Sequence, residues 1–141
     1  MTNIATETRT VVVEREVPHP PEKIWRALTQ PHLIEEWLMK TDFQPVEGHK
    51  FTLRNEPKPS VSVVVDCKVL EVEPHKTLSY SWAAFGLDSV VTFTLTPTPT
   101  GTIIRMGQSG FRPDQELAYK GAKAAWKQFF AALGKVIGQM D

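Results

Sequence analysis

From Pro113 to Ile137, apolar residues recur at steps of three and four: Ala118, Ala122, Ala125, Trp126, Phe129, Leu133 and Val136. Lys120, Lys123, Lys127 and Lys135 fall mostly on the other side, which predicts one long amphipathic helix. Such a helix needs an apolar partner, and the chain upstream supplies one. Phe51 and Leu53 alternate with polar residues over Lys50 to Asn55, and Val61, Val63, Val65, Cys67 and Val69 share one parity. Leu78, Tyr80 and Trp82 follow over Thr77 to Trp82, then Val91, Phe93 and Leu95 over Ser89 to Thr96, and Ile104, Met106 and Gln108 over Thr102 to Ser109. Each reads as a strand with one buried face. Thr10 to Val17 is a further strand, with Val11, Val13, Arg15 and Val17 on one side.

Between that first strand and the next, Pro21 and Pro31 stand at first-turn positions of two short helices. The first carries Ile24, Trp25 and Leu28; the second, Pro31 to about Leu38, carries Leu33, Ile34 and Trp37. Met39 to His49 reads as irregular, and Glu56-Pro57-Lys58-Pro59 as a turn too rich in proline to continue a ladder. In the strand from Val61 to Glu73 the apolar parity switches after Val69 to Leu70 and Val72, which predicts a bulge there and strong curvature. The expected fold is α+β: a curved six-stranded antiparallel sheet wrapped around a long C-terminal helix, with two short helices between strands one and two. Residues 1–9 read as a flexible N-terminus and residues 10–141 as a single domain.

Lysine plus arginine equals aspartate plus glutamate at 16 each, so no charge excess points to nucleic acid. No apolar run reaches the roughly 20 residues that cross a bilayer, so membrane insertion is not expected. The single cysteine, Cys67, has no internal disulfide partner, and the N-terminus lacks a basic-then-apolar leader. A cytoplasmic location is the expectation.

Several stretches occur in a recognisable order: Val13-Glu14-Arg15, then Pro20-Pro21-Glu22-Lys23-Ile24-Trp25-Arg26-Ala27-Leu28-Thr29-Gln30-Pro31, then Trp37. Val69-Leu70-Glu71-Val72-Glu73-Pro74, Leu78-Ser79-Tyr80-Ser81-Trp82 and Ser109-Gly110-Phe111 complete the series. From Thr10 to Ile137 the chain resembles the START-like, or helix-grip (SRPBCC), superfamily, in the branch similar to the activator of the heat-shock ATPase chaperone. It departs from that branch at Gly48-His49, at Glu56 to Pro59 and at Gly121-Ala122, all near the mouth of the family's cavity. The resemblance implies a pocket between sheet and helix that holds a hydrophobic small molecule, such as a lipid or a polyketide-like or flavonoid-like aromatic.

The candidate ligand-binding residues are Arg15, Trp37, Phe51, Leu53, Val65, Tyr80, Trp82, Phe93, Met106, Gln108, Gly121, Ala125 and Trp126. Most supply apolar wall; Arg15, the Tyr80 hydroxyl and Gln108 are the sparse polar groups that orient a ligand. Gly121 and Ala125 lie one helical turn apart and leave room or permit close approach. The competing readings are packed core for the aromatic residues and, for Arg15, an acid partner or a side chain turned out at the sheet edge. His32 with Glu35 or Glu36 has helical spacing but lacks a third ligand, so neither a metal nor another cofactor is expected. No catalytic residue is assigned. The superfamily leaves open a small cyclase- or hydratase-like enzyme in which Arg15, Tyr80 and Gln108 polarise a carbonyl. A chaperone partner is the other alternative, against which the resemblance implies that a further N-terminal domain would be needed. A monomer or weak homodimer is expected.

Overall fold

In the computed structural model, which describes residues 8–58 and 61–140, the sheet has seven antiparallel strands. They are β1 (Arg9–Val17), β2 (Lys40–Thr41), β3 (Lys50–Lys58), β4 (Val61–Glu73), β5 (Thr77–Ala84), β6 (Leu87–Thr98) and β7 (Gly101–Phe111), in the order β1-β7-β6-β5-β4-β3-β2. The helices are α1 (Pro21–Thr29), α2 (Pro31–Trp37) and α3 (Glu116–Gln139). The strand beyond the expected six is β2, two residues of the stretch read as irregular, pairing Lys40 with Arg54 and Thr41 with Leu53. A two-residue strand is too short to show a period of two. Its place is set by the Thr41 hydroxyl, which donates to the Thr52 carbonyl at 2.8 Å.

The alternating stretches form strands as expected, most of them longer by a few residues at their ends. Arg9, placed in the N-terminal tail, begins β1; Met1 to Glu7 lie outside the described residues. β3 runs through Glu56, Pro57 and Lys58 instead of turning there. The register explains how: Asn55 faces Val63 and Lys58 faces Val61, so β3 takes one more residue than β4, and proline is tolerated at such an irregularity. The rest of the expected turn, Pro59, lies outside the described residues.

The bulge in β4 lies where the parity switches, since Val69 faces Tyr80 and Glu71 faces Ser79. Leu70 is the extra residue. It is 44% exposed rather than inward, while Val72 is half-buried. Beyond the bulge the loop before β3 takes up β4's backbone: Gly48 N–H donates to the Val69 carbonyl at 2.8 Å and Val69 N–H to the His49 carbonyl at 2.9 Å.

Helix α3 begins at Glu116, not Pro113, and buries Trp126, Phe130, Leu133, Val136 and Ile137. The stripe from 126 through 130 and 133 to 137 steps by four, three and four, so Phe130 and Ile137 are core and Phe129 lies at its margin. Residues 116–125 of α3 include no buried side chain, and Leu117 is 87% exposed. The helix therefore grips the sheet with its second half and stands off it with its first. α1 and α2 are joined by the Trp37 indole N–H, which donates to the Ala27 carbonyl at 2.9 Å. At the end of β7, Gly110 has φ +110, and a Cβ there would lie 2.7 Å from the Asp88 carbonyl oxygen. Only glycine fits that approach of β7 to β6.

Candidate functional site

Where the first half of α3 stands away from the sheet, a cavity of about 450 Å³ opens. Its sheet side is made by Val63 and Val65 of β4, Trp82 and Ala84 of β5, Leu87 of β6 and Gln108 of β7. Its helix side is made by Leu117, Gly121, Ala122, Ala125, Trp126 and Phe129, with Met39 and Phe85 completing the rim. The small residues at 121, 122 and 125 keep side chains out of the space that larger ones would fill.

The inner end is organised by Trp126. Its ring packs at 5.5 Å from Trp82, 5.3 Å from Phe129 and 5.9 Å from Phe93, centroid to centroid. Its indole N–H donates to Gln108 Oε1 at 2.8 Å, Gln108 Nε2–H donates to Ser89 Oγ at 2.9 Å, and Ser89 Oγ–H donates to the Trp82 carbonyl at 2.8 Å. All four residues are buried, so the relay satisfies polar groups that would otherwise be costly there.

The mouth is built from the turn before α3 and the β5–β6 hairpin. Gln115 bridges them: its Oε1 accepts from Arg112 N–H at 2.9 Å and its Nε2–H donates to the Gly86 carbonyl at 3.3 Å. Asp114 and Glu116 stand beside it. The Arg112 guanidinium holds the Asp114 carboxyl below its ordinary value, and Arg9, hydrogen-bonded to Glu116, does the same there. Phe85 and Gly86 both have positive φ, +52 and +79, in the two-residue turn closed by the Ala84–Leu87 pair. Phe85 is 85% exposed at the lip.

Six of the thirteen candidate residues meet at this cavity: Val65, Trp82, Gln108, Gly121, Ala125 and Trp126. Phe51, Tyr80, Phe93 and Trp37 lie instead in a filled aromatic cluster with Phe43. Phe43–Phe51, Phe51–Tyr80, Tyr80–Phe93 and Trp37–Phe93 centroids are 5.0, 5.2, 6.0 and 6.1 Å apart. Leu53 and Met106 are buried core that does not line the cavity. Arg15 is exposed, its guanidinium across Gly134 of α3, where a Cβ would meet it at 3.0 Å. The inward face of the sheet thus divides into a part filled by α2 and Phe43 and a part left open. Tyr80 and Cys67 lie in the filled part. Burial raises the Tyr80 hydroxyl well above its ordinary value, and burial, with Asp66 and Asp42 nearby, pushes the Cys67 thiol up to about 12.

Sequence reasoning passed over Met39, Ala84, Phe85, Leu87 and the segment 114–117 as cavity residues. An aromatic residue directly before the glycine of a short turn, at Phe85-Gly86, is the feature that could have marked the lip.

Comparison with known proteins places this geometry. Residues 18–138 match the family described as Activator of Hsp90 ATPase homolog 1-like protein. The crystal structure of protein MLL2253 from Mesorhizobium loti is 61% identical, with a TM-score of 0.88 over 94% of this chain and 99% of that one. DynU16, described as a putative protein in the dynemicin biosynthetic locus, is 26% identical, with a TM-score of 0.79 over 92% of this chain and 47% of that one. CalU16 from Micromonospora echinospora, at 22% identity and a TM-score of 0.77 over 94% and 78%, shares the fold. No curated protein sequence matches the chain. The helix gripped by a curved sheet and the match over residues 18–138 agree: the chain belongs to the Activator of Hsp90 ATPase homolog 1-like family, within the SRPBCC helix-grip proteins.

Proposed function

We propose that the protein binds a hydrophobic or aromatic small molecule, non-covalently, in the cavity between the sheet and the first half of α3. The observation that carries this reading is the cavity itself: about 450 Å³, walled by Trp82, Trp126, Phe129, Val65 and Leu87, with one buried amide among them. That size and that ratio of apolar wall to polar group suit a small ligand rather than a peptide. The neighbour DynU16, described as a putative protein in the dynemicin biosynthetic locus, supports a role beside small-molecule biosynthesis.

A thermal-shift screen against flavonoids, fatty acids, polyketide-like aromatics and sterols tests the reading. A ligand at a hundred times its dissociation constant contributes about 2.7 kcal/mol, which raises Tm by roughly 5 to 15 °C for a chain of this size. Gly121→Trp, on an exposed stretch of α3 where a Cβ meets nothing within 4 Å, fills the cavity and abolishes the shift while the fold persists. A shift that survives this substitution places the ligand elsewhere.

The family description favours a second reading, a chaperone-associated interaction module. ATPase rates of the endogenous heat-shock chaperone, measured with and without this protein, distinguish it. Acceleration retained in Gly121→Trp supports a surface role independent of the cavity.

A further inference from the structure

Among the described residues that line the cavity, Gln108 is the single buried polar side chain, 1% exposed. Its orientation is determined by its neighbours. An indole can only donate, so the Gln108 atom 2.8 Å from Trp126 Nε1 is the amide oxygen, and the amide nitrogen faces Ser89. Ser89 gives its own proton to the Trp82 carbonyl and so accepts from Gln108. A primary amide has two N–H donors and two acceptor lone pairs. One of each is engaged here; the second N–H and the second lone pair have no partner among the described residues.

The surrounding wall offers no other amide: Val63, Val65, Leu87 and Phe129 present apolar surface, the Trp126 N–H is given to Gln108, and the Trp82 indole can donate but not accept. The polar residues at the mouth are already engaged: Asp114 with Arg112, Glu116 with Arg9, and Gln115 with Arg112 and Gly86. No lysine or arginine is among the described lining residues. Given the cavity reading above, on which the inference rests, the geometry points to Gln108 as a specificity residue. It selects an uncharged ligand whose flat apolar body carries a carbonyl or phenolic oxygen, and that oxygen accepts the free Nε2–H. A hydrocarbon of the same shape leaves the amide N–H buried without a partner. A carboxylate must shed its hydration with no cation among the described lining residues to meet it and with two acids at the entrance.

Titration calorimetry with three matched tricyclic probes, fluorenone, fluorene and fluorene carboxylate, tests the inference on the intact protein. Fluorenone is expected to bind about tenfold or more tightly than fluorene, and the carboxylate more weakly than either. In Gln108→Leu, with folding checked by circular dichroism, fluorenone and fluorene converge because the ketone has lost its donor. Infrared spectroscopy of fluorenone bound to the wild-type protein gives a readout that needs no variant. A carbonyl stretch displaced to lower wavenumber than in hexane reports the hydrogen bond, and a stretch at the hexane position overturns the inference. Equal affinity for fluorenone and fluorene, or a preference unchanged in Gln108→Leu, overturns it too while leaving the cavity reading standing. Failure of all three probes to bind overturns the inference, and silence across the thermal-shift panel as well removes the cavity reading.

Discussion

Trp126 does two things at once, and substitution can separate them. Its ring fills the space between Trp82, Phe93, Phe129 and Phe130, and its N–H is the donor that orients Gln108. Trp126→Ala loses both and is expected to cost about 3 to 5 kcal/mol in urea unfolding. Trp126→Phe keeps most of the ring and leaves Gln108 Oε1 without its donor, for a cost of about 1 to 3 kcal/mol. A loss below a few tenths of a kcal/mol would mean that the relay contributes little to stability. Cys67 makes a second residue-scale case. Its thiol is pushed up to about 12 by burial first and the charges of Asp66 and Asp42 second. The native thiol is therefore uncharged at neutral pH, and alkylation at pH 8 is expected to proceed only as fast as the protein opens. Because the folded value lies above the ordinary thiol value of about 8.5, the associated stability is complete below that pH and is lost as pH rises toward about 12. Tyr80, raised by burial, adds to the decline at the alkaline end. Unfolding free energies measured from pH 8 to 11 should fall less steeply in Cys67→Ala than in the wild type.

The β5–β6 hairpin is the element whose geometry conflicts with its sequence. A two-residue turn with positive φ at both positions suits Asn-Gly, yet Phe85 occupies the first position at φ +52. A bulky residue there carries strain of about 1 kcal/mol or more, and at 85% exposure Phe85 recovers little by packing. Phe85→Asn is expected to raise stability by about 1 kcal/mol, seen as a higher Tm, and to weaken ligand binding by removing the lip of the cavity. Unchanged binding would show that the phenyl group is not part of the mouth in solution. The long helix illustrates another element-scale point. Its periodicity runs on past the contact that justifies it: Ala118 and Ala122 belong to the same stripe as Trp126, but they face the cavity rather than the sheet.

At the scale of the whole molecule, the fold joins a tightly packed part to a looser one. β1, β7 and β6 pair over long registers, and the second half of α3 buries Trp126, Phe130, Leu133, Val136 and Ile137. The first half of α3 has no buried side chain and is tied down by the Arg9–Glu116 ion pair, the Arg9–Tyr119 stack and the Gln115 bridge. Local opening should follow that division. Hydrogen exchange is expected to be faster in residues 116–125 than in 126–139, and a cavity ligand is expected to slow it selectively in the first group. Uniform protection along α3 in the free protein would contradict this division.

Alternation and helical period were sufficient to read the long helix, the tandem short helices behind Pro21 and Pro31, the principal strands and the bulge near Val69. Those features are set by near neighbours: a parity switch is visible wherever three or four residues alternate on each side of it. The two-residue β2 and the continuation of β3 through Pro57 escaped, because each depends on a partner strand that the local pattern does not contain. The same division runs through the site. Trp126 and Gln108 stand out in sequence as an inward tryptophan and an inward amide, but parity only names a face. It treats Tyr80 and Trp82 alike, two residues apart on one strand. What separates them is which element lies opposite: Phe43 and Phe51 close over Tyr80, whereas Trp82 faces the raised half of α3 and its small residues. Whether an inward aromatic becomes core or cavity wall depends on how far apart two packed layers stand, a distance set by side chains remote in the chain.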